Sequence, residues 1–114
     1  MSFNTLGLSP ELKKAIESKG YSDPSEIQQQ AIPSILQGND IMAGAQTGTG
    51  KTAAFALPIL QRLQNDESKR RRVRTLVLVP TRELASQVGD SFRSYGKNLR
   101  FRTSTLYGGV SIKT

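Results

Sequence analysis

Apolar residues recur at helical spacing from the start of the chain. Leu8, Leu12, Ala15 and Ile16 fall on one face. Ser9-Pro10 offers a cap followed by a first-turn proline, and Gly20 stops the run. A second stripe, Ile27, Ala31, Ile32 and Ile35, begins after Asp23-Pro24-Ser25-Glu26, where Asp23 and Glu26 are placed for a reciprocal cap. Pro33 has no amide proton and is expected to kink or break this helix, and Gly38 ends it. The pattern then changes. Residues 40–44 form a short apolar strand candidate, and a helix is expected over about 51–63, bent at Pro58. After a polar connector at 65–72, residues 75–79 are continuously apolar and β-branched at Thr75, Val77 and Val79, as in a strand buried on both faces. Pro80 ends that run and Thr81 caps the next helix, striped by Ala85, Val88, Phe92 and Tyr95. Residues 101–107 read as a third strand closed by Gly108-Gly109.

The alternation of strand and helix after a helical lead-in predicts an α/β fold. Its parallel sheet would be covered by helices and joined by right-handed crossovers. Residues 1–38 are the helical lead-in and 39–114 the sheet domain. Three strands make a thin sheet, so the pattern is expected to be part of a larger domain.

Composition narrows the chemistry. The 114 residues include no Cys, His or Trp, which removes disulfides, thiolate metal sites and the usual general base. Catalysis would rest on carboxylates, Lys, Arg, backbone amides or a bound ion. The longest apolar run, 53–60, has eight residues with a proline inside, against the roughly 20 that span a bilayer. The N-terminus lacks an apolar signal core, so no membrane partner and a cytoplasmic location are expected. Residues 1–64 are net neutral, and residues 65–114 carry the whole excess of +7. Five cations fall within Lys69-Arg70-Arg71-Arg72-Val73-Arg74; a solvated linker and a polyanion-facing surface both fit that run.

The chemistry-bearing motif is Ala45-Gln46-Thr47-Gly48-Thr49-Gly50-Lys51-Thr52, set between the first strand candidate and a helix. Glycines let successive amides converge on an anion at the helix's positive end. Lys51 would reach the β- and γ-phosphates, and the Thr52 hydroxyl would ligate Mg²⁺. These two residues are the catalytic candidates. The common pattern begins with Gly where this chain has Ala45. None of the nine acids follows an apolar strand run, so the carboxylate needed for hydrolysis is not found here, and the 114 residues alone are expected to be inactive.

Taken with four further segments, this loop makes the chain resemble the first RecA-like domain of DEAD-box ATP-dependent RNA helicases, most of all the bacterial RhlE type. The initial-alanine loop is that family's own variant. Gly20-Tyr21-Ser22-Asp23-Pro24-Ser25-Glu26-Ile27-Gln28 is similar to its Q motif, and Phe3 stands seventeen residues ahead of Gly20, where the family has an isolated aromatic. Pro80-Thr81-Arg82-Glu83-Leu84-Ala85 is similar to the PTRELA segment, and Gly108-Gly109 to the glycine doublet.

The resemblance implies a partial RecA-like P-loop domain behind a Q-motif segment, with ATP and Mg²⁺ as cofactors and RNA as partner. It implies that Gln28 reads the adenine edge, that Tyr21 packs on the base with Phe3 nearby, and that Ala45–Thr52 hold the phosphates. It implies backbone contacts to RNA from Pro80, Thr81, Arg82, Gly108 and Gly109, sequence-tolerant and salt-sensitive. From the residues alone, Gln28 reads as a surface position, Tyr21 as a core edge, Phe3 as an apolar tack for the first helix and Thr81 as a plain cap. The aromatics Phe92, Tyr95 and Phe101 are expected on buried faces. In related folds the neighbour of the loop strand comes from later sequence, so an unpaired edge open to self-association is expected, as are larger RNA–protein assemblies. Two functions remain open at this point: a piece of an ATP-hydrolysing RNA helicase, and a non-hydrolysing nucleotide- and RNA-binding half-domain.

Overall fold

The computed structural model describes residues 3–44, 50–66 and 74–106. A 3₁₀ turn at Phe3–Thr5 leads into four helices, α1 (Pro10–Ser18), α2 (Glu26–Leu36), α3 (Lys51–Asn65) and α4 (Arg82–Tyr95). Each begins and ends for a local reason. Ser9 caps α1 by accepting the Leu12 amide proton, with Pro10 in the first turn. At its far end the Gly20 amide donates to the Glu17 carbonyl and the Tyr21 amide to that of Ile16, a Schellman closure that needs the left-handed φ of +79° at Gly20. The same pair of bonds closes α2 through Gly38, from Gly38 to Ile35 and from Asn39 to Ser34. Nothing lies within 4 Å of a Cβ built on Gly20, so only backbone strain opposes a side chain there. Gly20→Ala should therefore cost about 1 kcal/mol, read as a melting-temperature drop of a few degrees.

Two expectations for α2 are corrected. Its cap is Ser25, not Asp23: Ser25 and Gln28 form the reciprocal box, two residues later than the Asp23–Glu26 pair. Both pairs satisfy the spacing rule, but only Gln28 also finds a partner on α3. Pro33 does not break the helix, which continues to Leu36. Ala31 and Ile32 are buried beside it, and their packing offsets the hydrogen bond that proline removes. Pro58 likewise sits inside α3, fully buried.

The core joins residues from both sides of position 38. Phe3, Leu6, Leu8, Leu12 and Ile16 pack with Ile32, with Ala53, Ala56, Leu57 and Leu60 of α3, and with Phe92 and Tyr95 of α4. The Phe55 and Phe92 rings lie 6.1 Å apart and tilted, within the range of favourable aromatic pairs. Phe101 is half-buried against the cluster, so the expectation that the three later aromatics face inward holds.

The sheet departs from the sequence pattern. Among the described residues there is no strand: 41–44, 74–79 and 101–106 carry no ladder. Leu76 and Leu78 are 76% and 83% exposed, and Met42 is fully exposed. A run apolar on both faces needs neighbouring strands for its amides and cover for its side chains, and the described residues offer neither. Side chains hold these segments to the helices instead. Arg74 donates to the Leu63 carbonyl at 3.0 Å, pairs with Asp66 at 3.0 Å and lies over the Phe101 ring. Arg93 of α4 pairs with Asp90 and donates to Thr105 Oγ1 at 3.1 Å.

Candidate functional site

The lead-in and the glycine-rich loop meet at Gln28. Its side chain is 5% exposed, which corrects the surface position expected from helical spacing alone. Gln28 Oε1 accepts the Ser25 amide proton at 3.0 Å, and Nε2 donates at 3.2 Å to the carbonyl of Gly50, the last residue of the loop. A primary amide carries two donor hydrogens and two acceptor lone pairs. These contacts use one of each, so one donor and one acceptor of the amide have no protein partner among the described residues.

Gly50 is the N-cap of α3, with φ of +83°. A Cβ there would run into the Gln28 amide, so both conformation and space require glycine. Helices α1, α2 and α4 are each capped by a Ser or Thr side chain, whereas the N-cap of α3 makes no side-chain bond. The first turn of α3 thus has amides at its positive end that no N-cap side chain takes up, an arrangement that suits a phosphate. Lys51 is exposed at the first helical position and Thr52 is half-buried beside it. Ala45, Gln46, Thr47, Gly48 and Thr49 lie outside the described residues.

Phe3 and Tyr21 share a second feature. They line a cleft of about 270 Å³ with Asn4, Lys13, Ile16, Glu17 and Ser22. Phe3 is buried, consistent with an apolar tack on the first helix, while Tyr21 is 49% exposed. Burial first, and the neighbouring Tyr21 second, push the Tyr95 phenol well above its ordinary range. The Lys19 ammonium sits 4.8 Å over the Tyr95 ring. Tyr21 is thus held at the junction of α1 and α4, with half its surface open.

At the start of α4, Pro80, Thr81 and Arg82 are all exposed. Thr81 caps the helix by accepting the Leu84 amide proton at 3.1 Å. Thr81→Ala should cost about 1 kcal/mol, visible as a lower thermal midpoint. Gly108, Gly109 and the basic run at 69–73 lie outside the described residues. Among the described residues, no three acidic side chains come together as a metal cluster would require.

Sequence reasoning missed Gln61. It is buried on α3 and accepts the Ser9 amide proton at 2.6 Å. It directly follows the apolar run at 53–60 and precedes Arg62, so nothing in the local sequence points to a partner.

The profile of the DEAD/DEAH box helicases matches residues 25–114. The chain belongs to that family. Among its relatives, the DEAD-box ATP-dependent RNA helicase RhpA of Helicobacter pylori is 50% identical over 98% of this chain. The DEAD-box ATP-dependent RNA helicase CshA of Bacillus cereus is 46% identical over 97%. The chain spans 22% and 21% of the length of those two relatives. Among solved structures, the RNA helicase Prp28 of Chaetomium thermophilum bound to ADP superposes with a TM-score of 0.87 at 37% identity, covering 96% of this chain and 27% of that one. A DEAD box protein from Methanococcus jannaschii superposes at 0.80 with 36% identity, covering 97% of this chain and 30% of that one. The DEAD-box chain therefore follows the path of a partial RecA-like P-loop fold, even where its described residues form no ladder.

Proposed function

We propose that this DEAD-box chain supplies the nucleotide site and part of the RNA-contacting surface of an ATP-dependent RNA helicase. The observation that carries this is the Gln28–Gly50 bond, which sets a buried amide with one free donor and one free acceptor against the end of the phosphate loop. Those two groups suit the N6 and N7 edge of adenine and disfavour guanine. Lys51 and the uncapped first turn of α3 suit the phosphates, and the Thr52 hydroxyl suits Mg²⁺. When bound, ATP supplies the phosphoanhydride whose cleavage drives duplex opening. The chain's own residues orient the base, hold the phosphates and neutralise charge.

RNA binding in this reading runs through Pro80, Thr81 and Arg82 with Gly108 and Gly109, aided by the excess of +7 in residues 65–114. A non-hydrolysing half-domain is the less favoured alternative, because relatives named as ATP-dependent RNA helicases match nearly the whole chain. The RhlE-type subgroup, a cytoplasmic location and membership of larger RNA–protein assemblies belong to the same proposal. So does self-association through the unpaired edge of the loop-strand segment at 40–44, where Ile41 and Met42 are exposed.

Equilibrium titration of ATP and GTP into the protein, with circular dichroism on the same samples, tests the reading. Folded protein that prefers ATP supports it; folded protein binding neither nucleotide, or both equally, overturns the adenine and phosphate assignments.

A further inference from the structure

Helix α1 lacks half of its own capping box. Ser9 accepts from the Leu12 amide, but Leu12, the third helical residue, has no polar atom to return to the Ser9 amide. In α2 that return bond comes from Gln28, within the helix. In α1 it comes from another helix. Gln61 of α3, 52 positions along the chain, accepts the Ser9 amide proton at 2.6 Å while its Nε2 donates to Asn65 Oδ1 at 2.9 Å. Both amide groups of this buried side chain are engaged. One turn further along α3, Gln64 donates to Glu11 Oε2 at 3.2 Å, and Asn98 donates to the Glu11 carbonyl at 3.2 Å. Hydrogen bonds from its own backbone amide and then from Gln64 hold the Glu11 carboxyl below its ordinary range. Side chains from α3 and from the turn after α4 thus converge on the first turn of α1.

We infer that Gln61 is a positioning residue for the nucleotide site, completing the cap of α1 from outside and so fixing the Phe3–Tyr21 cleft relative to Lys51 and Thr52. This rests on the nucleotide reading given above. The connection is short at both ends. Phe3 is joined to the approach to Ser9 by the Leu6-to-Phe3 backbone bond, and Tyr21 is tied to the other end of α1 through the Ile16 carbonyl. Gln61 and Lys51 share one helix. The phosphate end has its own anchor in the Gln28–Gly50 bond and does not depend on Gln61. Loosening the Gln61 bond should therefore disturb what packs on the base and spare what holds the phosphates.

The experiment compares Gln61→Met and Gln61→Glu with wild type in the full-length protein, titrating ATP and inorganic tripolyphosphate and recording thermal unfolding. Methionine keeps the shape and removes the acceptor. It should weaken ATP about three- to tenfold, the worth of one buried hydrogen bond, with tripolyphosphate affinity unchanged. Glutamate keeps an oxygen for the Ser9 amide, and Asn65 can turn its amide to donate, so ATP affinity should return to near wild type. Equal weakening of both ligands by Gln61→Met, whether the variant is folded or unfolded, would assign Gln61 a structural role only and overturn the inference. Unchanged ATP affinity, or no rescue by glutamate, would overturn it too. A wild-type protein that binds neither ligand would instead defeat the nucleotide reading itself, a result distinct from any of these.

Discussion

Gln28→Ala should weaken ATP binding about tenfold and narrow the preference for ATP over GTP. The substitution removes the amide proposed to read adenine and at the same time leaves the Ser25 amide and the Gly50 carbonyl without that partner. Leaving a buried polar group unpaired costs about 1–3 kcal/mol, so a lower thermal midpoint should accompany the binding defect. Gln28→Glu separates the two effects. Its carboxylate still accepts from Ser25, but it sets an oxygen against the Gly50 carbonyl where a donor stood. It should retain the α2 cap and lose the coupling to the loop. Calorimetric titration with both nucleotides, beside thermal melts, gives the answer. An ATP-to-GTP ratio identical to wild type in a folded Gln28→Ala protein would contradict the adenine role.

Lys51→Ala should reduce ATP affinity about ten- to a hundredfold, matching the loss of a charge-assisted contact to phosphate. Unlike Gln28, Lys51 is exposed and has no part in the buried cluster formed among the described residues. The variant should therefore melt like wild type, within about 0.5 kcal/mol. That contrast is the useful part: Gln28→Ala costs stability and selectivity together, whereas Lys51→Ala costs affinity alone. Turnover in the full-length protein should fall with affinity, and unchanged turnover would remove Lys51 from the phosphate site.

The helices were legible because their signals are local. Ser9-Pro10 and Gly20 bracket α1 as the sequence pattern predicts, and Thr81 caps α4. The start of α3 was legible for the same reason: the glycine-rich motif runs into a helix that begins at Lys51, with Gly50 as its N-cap. What sequence reasoning misplaced depends on partners far along the chain. Helical spacing put Gln28 on the surface, yet the Gly50 carbonyl, 22 positions away, draws it inside. Spacing alone places the cap of α2 at Asp23, whereas Ser25 makes it, in the register that also lets Gln28 reach the Gly50 carbonyl. Gln61 gave no usable sign, because its role is to finish a cap on a helix 52 positions earlier.

The strand segments show the same division from the other side. The apolar run at 75–79 specifies burial on both faces, but a strand exists only where a neighbour supplies its hydrogen bonds. Leu76 and Leu78 remain exposed among the described residues. The amino-acid sequence by itself determined the ends of α1, the cap of α4 and the family, all carried by contiguous residues with fixed backbone needs. The tertiary structure alone decided which polar side chains are buried and which helices they tie together. Those contacts are selected by the packing of α1, α2 and α4 around α3, and no local spacing encodes that packing.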